Sequence, residues 1–226
     1  MLYSFQYYIM EQEVIKMKKE DRRFLADLIR DVQSIDFVRP EDIPNIDLYM
    51  DQVTSFMEDQ LEACKRYDTD KILTKTMINN YSKNNLLPPS EKKKYSREHM
   101  LTLIFIYYFK NILSISDISS ILNPITDKYF GNKDGFNMLD VYEEVFSLST
   151  GESEKLLKDL AKKYYHASHT FSEFPDEDKE FLHAFSFICS LSFDVYLKKM
   201  IIENIIDDLN ERKKNNKDDD EKNADN

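Results

Sequence analysis

The sequence at residues 74–89 reads Thr-Lys-Thr-Met-Ile-Asn-Asn-Tyr-Ser-Lys-Asn-Asn-Leu-Leu-Pro-Pro. Thr74 is a good N-cap, and Met77, Ile78 and Tyr81 then share one face of a short helix. The asparagine pair at 84–85 stands where this helix must stop, because asparagine tolerates the left-handed conformation of a C-cap. The two prolines lead the chain away in extended form. The stretch predicts a helix over about 74–84, with an outer face of Lys75, Thr76, Asn79, Asn80 and Lys83.

The charge around this helix differs from that of the rest of the chain. The formal net charge is −11, which argues against a general nucleic-acid binder. Between Lys71 and Glu98, however, seven cations and two anions give a local net charge of +5 and leave −16 elsewhere. One basic segment on an acidic body is typical of a focused anion-binding surface. A solvated lysine-rich loop is the alternative that charge alone leaves open.

The flanking sequence predicts further helices. A helix from Asn45 or Asp47 to about Tyr67 would precede the motif and bury Leu48, Val53, Phe56, Met57 and Leu61. After a basic loop at 90–94, Ser96 caps a helix over about 97–111 that is apolar all round and should form the centre of the domain. A capping box at Ser114 then opens a helix that we expect Pro124 to close.

Taken together, residues 74–122 resemble the MerR-type winged helix. In that family a capped recognition helix ends in Gly-Leu-Leu-Pro-Pro, a wing ends in Tyr-Ser, and a core helix follows. The chain is also similar to a bacterial family, domain of unknown function 1836, in which this block is preceded by Ile-Asp-Leu-Tyr-Met-Asp-Gln-Val, here residues 46–53. The MerR likeness covers about a quarter of the chain, and the second likeness extends to about residue 150.

The resemblance implies a DNA-binding site. The helix at 74–84 would enter the major groove, and the loop at 90–94 would reach the flanking phosphates. Asn79 or Asn80 has the amide that pairs with an adenine edge. The implied DNA-binding residues are Lys75, Thr76, Asn79, Asn80, Lys83, Lys92, Lys93, Lys94, Tyr95 and Arg97.

The sequence departs from the MerR pattern in three places. Thr76 and Asn79 stand where relatives often have arginine, and Asn85 replaces a glycine. The wing between Pro89 and Tyr95 has five residues, about half the usual length, so we do not expect a full β-ribbon. A helix-turn-helix kept for protein contacts, in a helical adaptor without DNA binding, therefore remains the alternative function.

The predicted fold class is all-α, with a winged helix-turn-helix that has a very short wing, followed by a C-terminal helical bundle. Predicted boundaries are a helical extension at 1–39 with a helix from Glu20 to Gln33, the DNA-binding domain at 40–124, a glycine-containing linker at 125–137, a dimerisation or effector domain at 138–212, and a disordered tail at 213–226.

A row of apolar residues repeats every seven positions in the C-terminal part: Phe181, Ile188, Val195, Ile202 and Leu209. Such a row is typical of a seam between two chains, but Lys198 and Lys199 interrupt its companion positions. Both a homodimer helix and the core helix of a bundle remain open. The 14 Tyr and 15 Phe residues fit a core, and they are also compatible with a pocket for an unidentified small-molecule effector.

The sequence offers little for catalysis or metal binding. We find no phosphate loop, nucleophile elbow or distinct carboxylate pair, so we expect no enzyme, no cofactor and no metal. His166 and His169 lack companion ligands, and His99 is expected to be a partly exposed first-turn residue. Cys64 and Cys189 are expected to be buried thiols in a reducing compartment.

The N-terminus lacks a signal sequence, and no apolar run reaches membrane-spanning length, so we expect a cytoplasmic protein without membrane contact. The predicted function is transcriptional regulation, with double-stranded DNA and a second copy of the chain as partners.

Overall fold

A computed structural model describes residues 23–28, 30, 37–148 and 152–224. The chain divides into a larger unit, Phe37–Ser147 with Lys199–Asn226, and a smaller unit, Met1–Asp36 with Leu148–Lys198. Helices dominate both units, which confirms the predicted all-α class.

The larger unit begins with a 3-10 turn at Pro40–Asp42. Strand β1 (Leu48–Tyr49) leads directly into α1 (Met50–Gln60), and a 3-10 turn at Glu62–Cys64 follows. Next come α2 (Lys75–Lys83), β2 (Lys94–Tyr95), α3 (Arg97–Phe109), α4 (Ile115–Tyr129) and α5 (Met138–Ser147). In the smaller unit, residues 23–28 and 30 are helical and α6 spans Glu152–Ala167. Helix α7 (Asp176–Ala224) contributes to both units.

Helix α3 forms the centre of the larger unit, as its all-round apolar sequence predicts. Every residue from Met100 to Tyr107 is buried. One apolar cluster joins α3 to side chains of the surrounding helices, namely Val53, Met57, Ile78, Ile118, Leu122, Met138, Tyr142 and Ile206. Burial of this many apolar side chains is the main stabilising contribution to the unit.

Two short strands are present that the all-α prediction did not include. β1 pairs antiparallel with β2, with Leu48 opposite Tyr95 and Tyr49 opposite Lys94. The predicted helix from Asn45 or Asp47 therefore starts only at Met50, where Tyr49 is the N-cap and its amide donates to Gln52 Oε1 at 2.9 Å. That helix also ends earlier than predicted, at Gln60.

Helix α4 continues beyond Pro124, contrary to the prediction, and ends at Tyr129. Proline lacks an amide hydrogen, so the carbonyl oxygen of Ser120 loses its usual donor four residues ahead. Lys213 Nζ donates to this oxygen at 2.9 Å and replaces the missing bond. The predicted linker at 125–137 is therefore helical up to residue 129. The turn that follows uses Gly131 at φ +70, whose amide donates to Glu98 Oε2 at 2.8 Å.

The two ends of the predicted domain plan also differ from the structure or lie outside it. The predicted helix from Glu20 to Gln33 is described only at residues 23–28 and 30, which are helical. Residues 213–224 continue α7 instead of forming a disordered tail. The sequence after Pro175 contains no glycine and no proline, so no residue in it breaks the helix.

Candidate nucleic-acid interface

Helix α2 is defined by local capping at both ends, as predicted. The amide of Met77 donates to Thr74 Oγ1 at 3.2 Å. At the other end Asn85 has a φ of 54, and the amide of Leu86 donates to the carbonyl oxygen of Tyr81 at 2.9 Å. A second bond runs from the amide of Asn85 to Ser82 at 3.2 Å. This is the Schellman pattern, which ends a helix firmly and fixes the direction of the following chain.

The outer face of α2 is polar and exposed. At about 100° per residue, its five predicted DNA-binding residues fall within an arc of about 140° on the helix surface. All five are exposed: Lys75, Thr76, Asn79, Asn80 and Lys83. The opposite side carries Ile78 and Tyr81, which are 0% and 8% exposed. Met77 was predicted to share this inner face, but it is 36% exposed.

The basic loop is a minimal β-hairpin. The amides and carbonyls of Glu91 and Lys94 bond to each other at 3.1 and 2.8 Å. Lys92 and Lys93 form the turn with φ angles of 49 and 65, which matches the type I′ geometry usually adopted by Asn-Gly. Both lysines are exposed at the hairpin tip. As predicted, five residues do not hold a full β-ribbon, but the return strand is anchored because β2 pairs with β1.

Two contacts connect the hairpin and α2 to the start of α1. Lys94 Nζ lies 5.4 Å from the centre of the Tyr49 ring, a cation–π arrangement, and Tyr49 is the N-cap of α1. Asp51, in the first turn of α1, forms an ion pair with Lys75 at the start of α2. The hairpin and the N-terminal end of α2 therefore flank the same helix end. We call the exposed face of α2 together with Lys92 and Lys93 the basic surface.

Two predicted site residues do not belong to this surface. Tyr95 is 5% exposed, and its ring packs edge to face against His99 with ring centres 5.4 Å apart. Arg97 donates through Nη2 to the carbonyl oxygen of Pro40 at 2.5 Å. Both side chains help to build the larger unit, which corrects their predicted role in DNA binding.

His99 is a residue whose role the sequence analysis missed. It is 3% exposed rather than partly exposed as predicted. Nδ1 accepts the amide of Ser96 at 3.0 Å and also lies 2.9 Å from Ser96 Oγ. Nε2 lies 3.3 Å from the carbonyl oxygen of Pro89. The ring also meets Phe130, with centres 4.7 Å apart.

Burial lowers the pKa of His99, so its imidazole is neutral near pH 7. With Nδ1 accepting a bond from Ser96, the proton of the neutral ring resides on Nε2 and is donated to Pro89. His99 therefore ties the base of the hairpin to the start of α3. The spacing Ser96-x-x-His99 is that of a capping box, and this signal could have identified the residue, although glutamate or glutamine is usual in the last position.

The remaining candidate residues take part in local contacts. His169 Nδ1 lies 2.7 Å from the carbonyl oxygen of Tyr165, and His183 Nε2 lies 2.9 Å from that of Thr170. Cys64 and Cys189 are partly exposed, whereas buried thiols were predicted. No group of three potential metal ligands occurs among the residues that the structure describes. Within the same residues, no helix is both long and apolar enough to span a membrane.

Residues 38–145 match the model of a protein family described as Domain of unknown function (DUF1836). The match runs from just before the first 3-10 turn almost to the end of α5, and it contains the entire basic surface. It supports the likeness to this family that the sequence predicts, over a stretch that ends slightly before residue 150. No curated protein and no solved structure matches the chain.

Proposed function

We propose that the chain is a cytoplasmic transcriptional regulator that binds double-stranded DNA through the basic surface. Helix α2 enters the major groove, and the hairpin tip contacts the flanking phosphates. The observation that supports this function is the position of the polar face of α2 and the Lys92–Lys93 tip on either side of the α1 N-terminus. A recognition helix combined with a basic loop is a common arrangement for reading a duplex.

The order of elements also supports a MerR-like winged helix-turn-helix with a minimal wing. A strand, two helices, a hairpin and a central helix follow one another as β1, α1, α2, the residues 91–94 and α3. The hairpin strand pairs with the strand that precedes the first helix, so wing and helix-turn-helix form one structural group. Under this proposal, α2 is the recognition helix.

Each part of the basic surface has a distinct task in DNA binding. Asn79 and Asn80 carry exposed amides that can bond an adenine edge with two hydrogen bonds, which is worth about 1–3 kcal/mol of discrimination. Lys83, Lys92 and Lys93 supply cations for phosphates and with them the salt-dependent part of the affinity. Lys75 contributes less as long as Asp51 is paired with it.

A protein–protein adaptor is the second candidate. The same ion pair favours it, because Asp51 places an anion at the centre of the basic surface and weakens its attraction for a polyanion. Glu91 at the base of the hairpin acts in the same direction. A partner with both acidic and basic groups would match such a surface better than a phosphate backbone.

The two candidates are separated by a DNA titration. Fluorescent duplexes from the upstream region of the protein's own coding sequence are compared with scrambled duplexes at several salt concentrations. The test variant is Lys92→Ala/Lys93→Ala, and the control is Lys162→Ala/Lys214→Ala, which removes two exposed lysines outside the basic surface. A regulator binds its own duplex selectively, and the slope of log K against log salt falls by about 2 in the test variant alone.

Binding no tighter than about 10⁻⁴–10⁻⁶ M to every duplex, equal in the test and control variants, would exclude the regulator. The adaptor would then be the better proposal, and protein partners that depend on Lys92 and Lys93 would be sought.

A further inference from the structure

The first half of α7 carries an exposed apolar stripe within the smaller unit. Five large side chains form it, and they are 74%, 51%, 59%, 63% and 64% exposed, respectively: Phe181, Phe185, Ile188, Val195 and Tyr196. Two small exposed residues, Ala184 and Ser192, lie between them. At about 100° per residue these positions span an arc of about 120° on one side of the helix. We call this arc the apolar stripe.

We propose that the apolar stripe binds a second copy of the same chain, with the two α7 helices antiparallel and crossing at Ile188. This inference does not depend on DNA binding. It assigns to α7 the seam between chains that the seven-residue repeat of Phe181, Ile188 and Val195 left open.

The stripe is not needed for the core of the smaller unit. Phe187, on another side of α7, is 4% exposed and forms an apolar cluster with Leu160 and Ala167. Asp194 forms an ion pair with Lys163 of α6. The smaller unit therefore packs on one side of α7 and leaves the stripe uncovered.

The area of the stripe is sufficient for a dimer interface. A large side chain has about 200 Å² of surface, so the exposed fractions amount to roughly 600 Å² on each copy. Two copies would bury roughly 1,200 Å², above the approximately 1,000 Å² expected of a biological interface. A patch of this size is also at the upper end of what a monomer usually exposes.

The stripe is complementary to itself in the antiparallel direction. When Ile188 meets Ile188 on a two-fold axis, Phe181 lies opposite Val195 of the second copy. The same register brings the exposed Asp178 opposite Lys198 of the second copy at both ends. In a symmetric interface each such pair occurs twice, so the apolar contacts and the charges match together.

Pairing along the stripe buries no isolated charge. Between residues 181 and 197 the only aspartate, glutamate, lysine or arginine is Asp194. Its carboxylate is already paired with Lys163. The large penalty for burying an unpaired charge is therefore avoided.

Sedimentation equilibrium of the full chain without DNA tests the proposal. The wild type should be dimeric. Ile188→Asp places two carboxylates on the axis and should raise the dimer Kd at least about 30-fold, as expected at the centre of an interface. Phe193→Asp is the matched control, because Phe193 is 64% exposed on α7 but lies outside the stripe. Circular dichroism checks that each variant keeps its helical content.

A charge reversal tests the antiparallel register. Asp178→Lys should weaken the dimer by repulsion from Lys198, and Asp178→Lys/Lys198→Asp should restore it. A monomeric wild type at the highest soluble concentration would overturn the proposal. A dimer that tolerates Ile188→Asp, or is equally weakened by Phe193→Asp, would do the same, and a double variant without recovery would exclude this register.

Discussion

Nε2 of His99 lies 3.3 Å from the carbonyl oxygen of Pro89, while Nδ1 of the same ring accepts the amide of Ser96. One buried imidazole thus spans the base of the hairpin and the first turn of α3. Both bonds need a neutral ring with its proton on Nε2, because a protonated Nδ1 cannot accept the Ser96 amide.

Acidification should destabilise the larger unit through His99. Burial lowers the pKa of His99, so the folded state binds fewer protons than the unfolded state, whose histidine titrates near about 6.5. The stability that this ring contributes is complete above that pH, and it is lost as the pH falls through the lower folded pKa. Asp47 and Glu91, the carboxylates near the ring, oppose part of the shift.

Urea unfolding on both sides of this window provides the measurement. His99→Gln keeps an acceptor for Ser96 but does not titrate, so its stability should change less with pH than that of the wild type. His169→Gln, at an exposed histidine, serves as the control. An equal pH dependence in the wild type and His99→Gln would rule out this role for the ring.

The hairpin tip should separate stability from DNA binding. Lys92 and Lys93 both have positive φ angles, which cost a residue with a Cβ about 1 kcal/mol or more. Lys92→Asn/Lys93→Gly introduces the pair that favours a type I′ turn, and we expect a gain of about 1 kcal/mol in the free energy of unfolding. The same variant should bind DNA more weakly, because two cations are lost. Urea midpoints and fluorescence anisotropy measure the two effects, and a loss of both stability and affinity would contradict this account of the turn.

The end of α2 should depend on the residue at position 85. Asn85 adopts a φ of 54, which alanine accepts poorly and glycine accepts well. Asn85→Ala should lower the free energy of unfolding by about 1 kcal/mol, and Asn85→Gly should leave it equal or higher. Thermal melts of the two variants give the comparison. If alanine is tolerated as well as glycine, the Schellman ending contributes little.

The ion pair between Asp51 and Lys75 should restrain DNA binding. Its side chains are 77% and 59% exposed, and exposed pairs contribute little to stability. Asp51→Asn should therefore leave the melting temperature unchanged and, under the proposed function, raise DNA affinity at low salt. Asp159→Asn, which affects an ion pair outside the basic surface, is the control. A lower affinity in Asp51→Asn would favour the adaptor.

The bond from Lys213 to Ser120 should support α4 around its proline. Lys213→Met removes the donor and leaves the Ser120 carbonyl oxygen without this partner, which should cost about 1 kcal/mol. Pro124→Ala restores the helical amide at that position, so the loss should shrink in the double variant. A double-variant cycle by urea unfolding measures this coupling. Purely additive losses would show that Lys213 does not compensate for the proline.

The parts of the fold that the sequence predicts are those determined locally. The caps of α2 depend on Thr74 and Asn85 within a few residues, and the centrality of α3 follows from its continuous apolar sequence. Helix α4 was cut short in the prediction because the group that compensates for Pro124 lies 93 residues from Ser120 in sequence. Strand β1 has only two residues, and its pairing with β2 likewise joins distant segments.

The candidate site divides in the same way. The exposed face of α2 follows from helical spacing, since Ile78 and Tyr81 fix the buried side. Tyr95 was assigned to the surface from a resemblance, although its ring is enclosed by tertiary contacts that spacing does not describe. The partner of Lys75, Asp51, lies on another helix and carries no sequence signal of the pairing.

Helix α7 enters the larger unit from the far end of the chain, with Ile206 in the apolar cluster and Lys213 on Ser120. The order of synthesis therefore matters. When a ribosome has translated residues 37–147, the segment that completes their core has not yet been made. The nascent unit keeps an open apolar contact surface until almost the last residues emerge, and chaperones recognise such surfaces. A fragment cut at residue 145, where the family match ends, reproduces this incomplete intermediate and should aggregate more readily than the full chain.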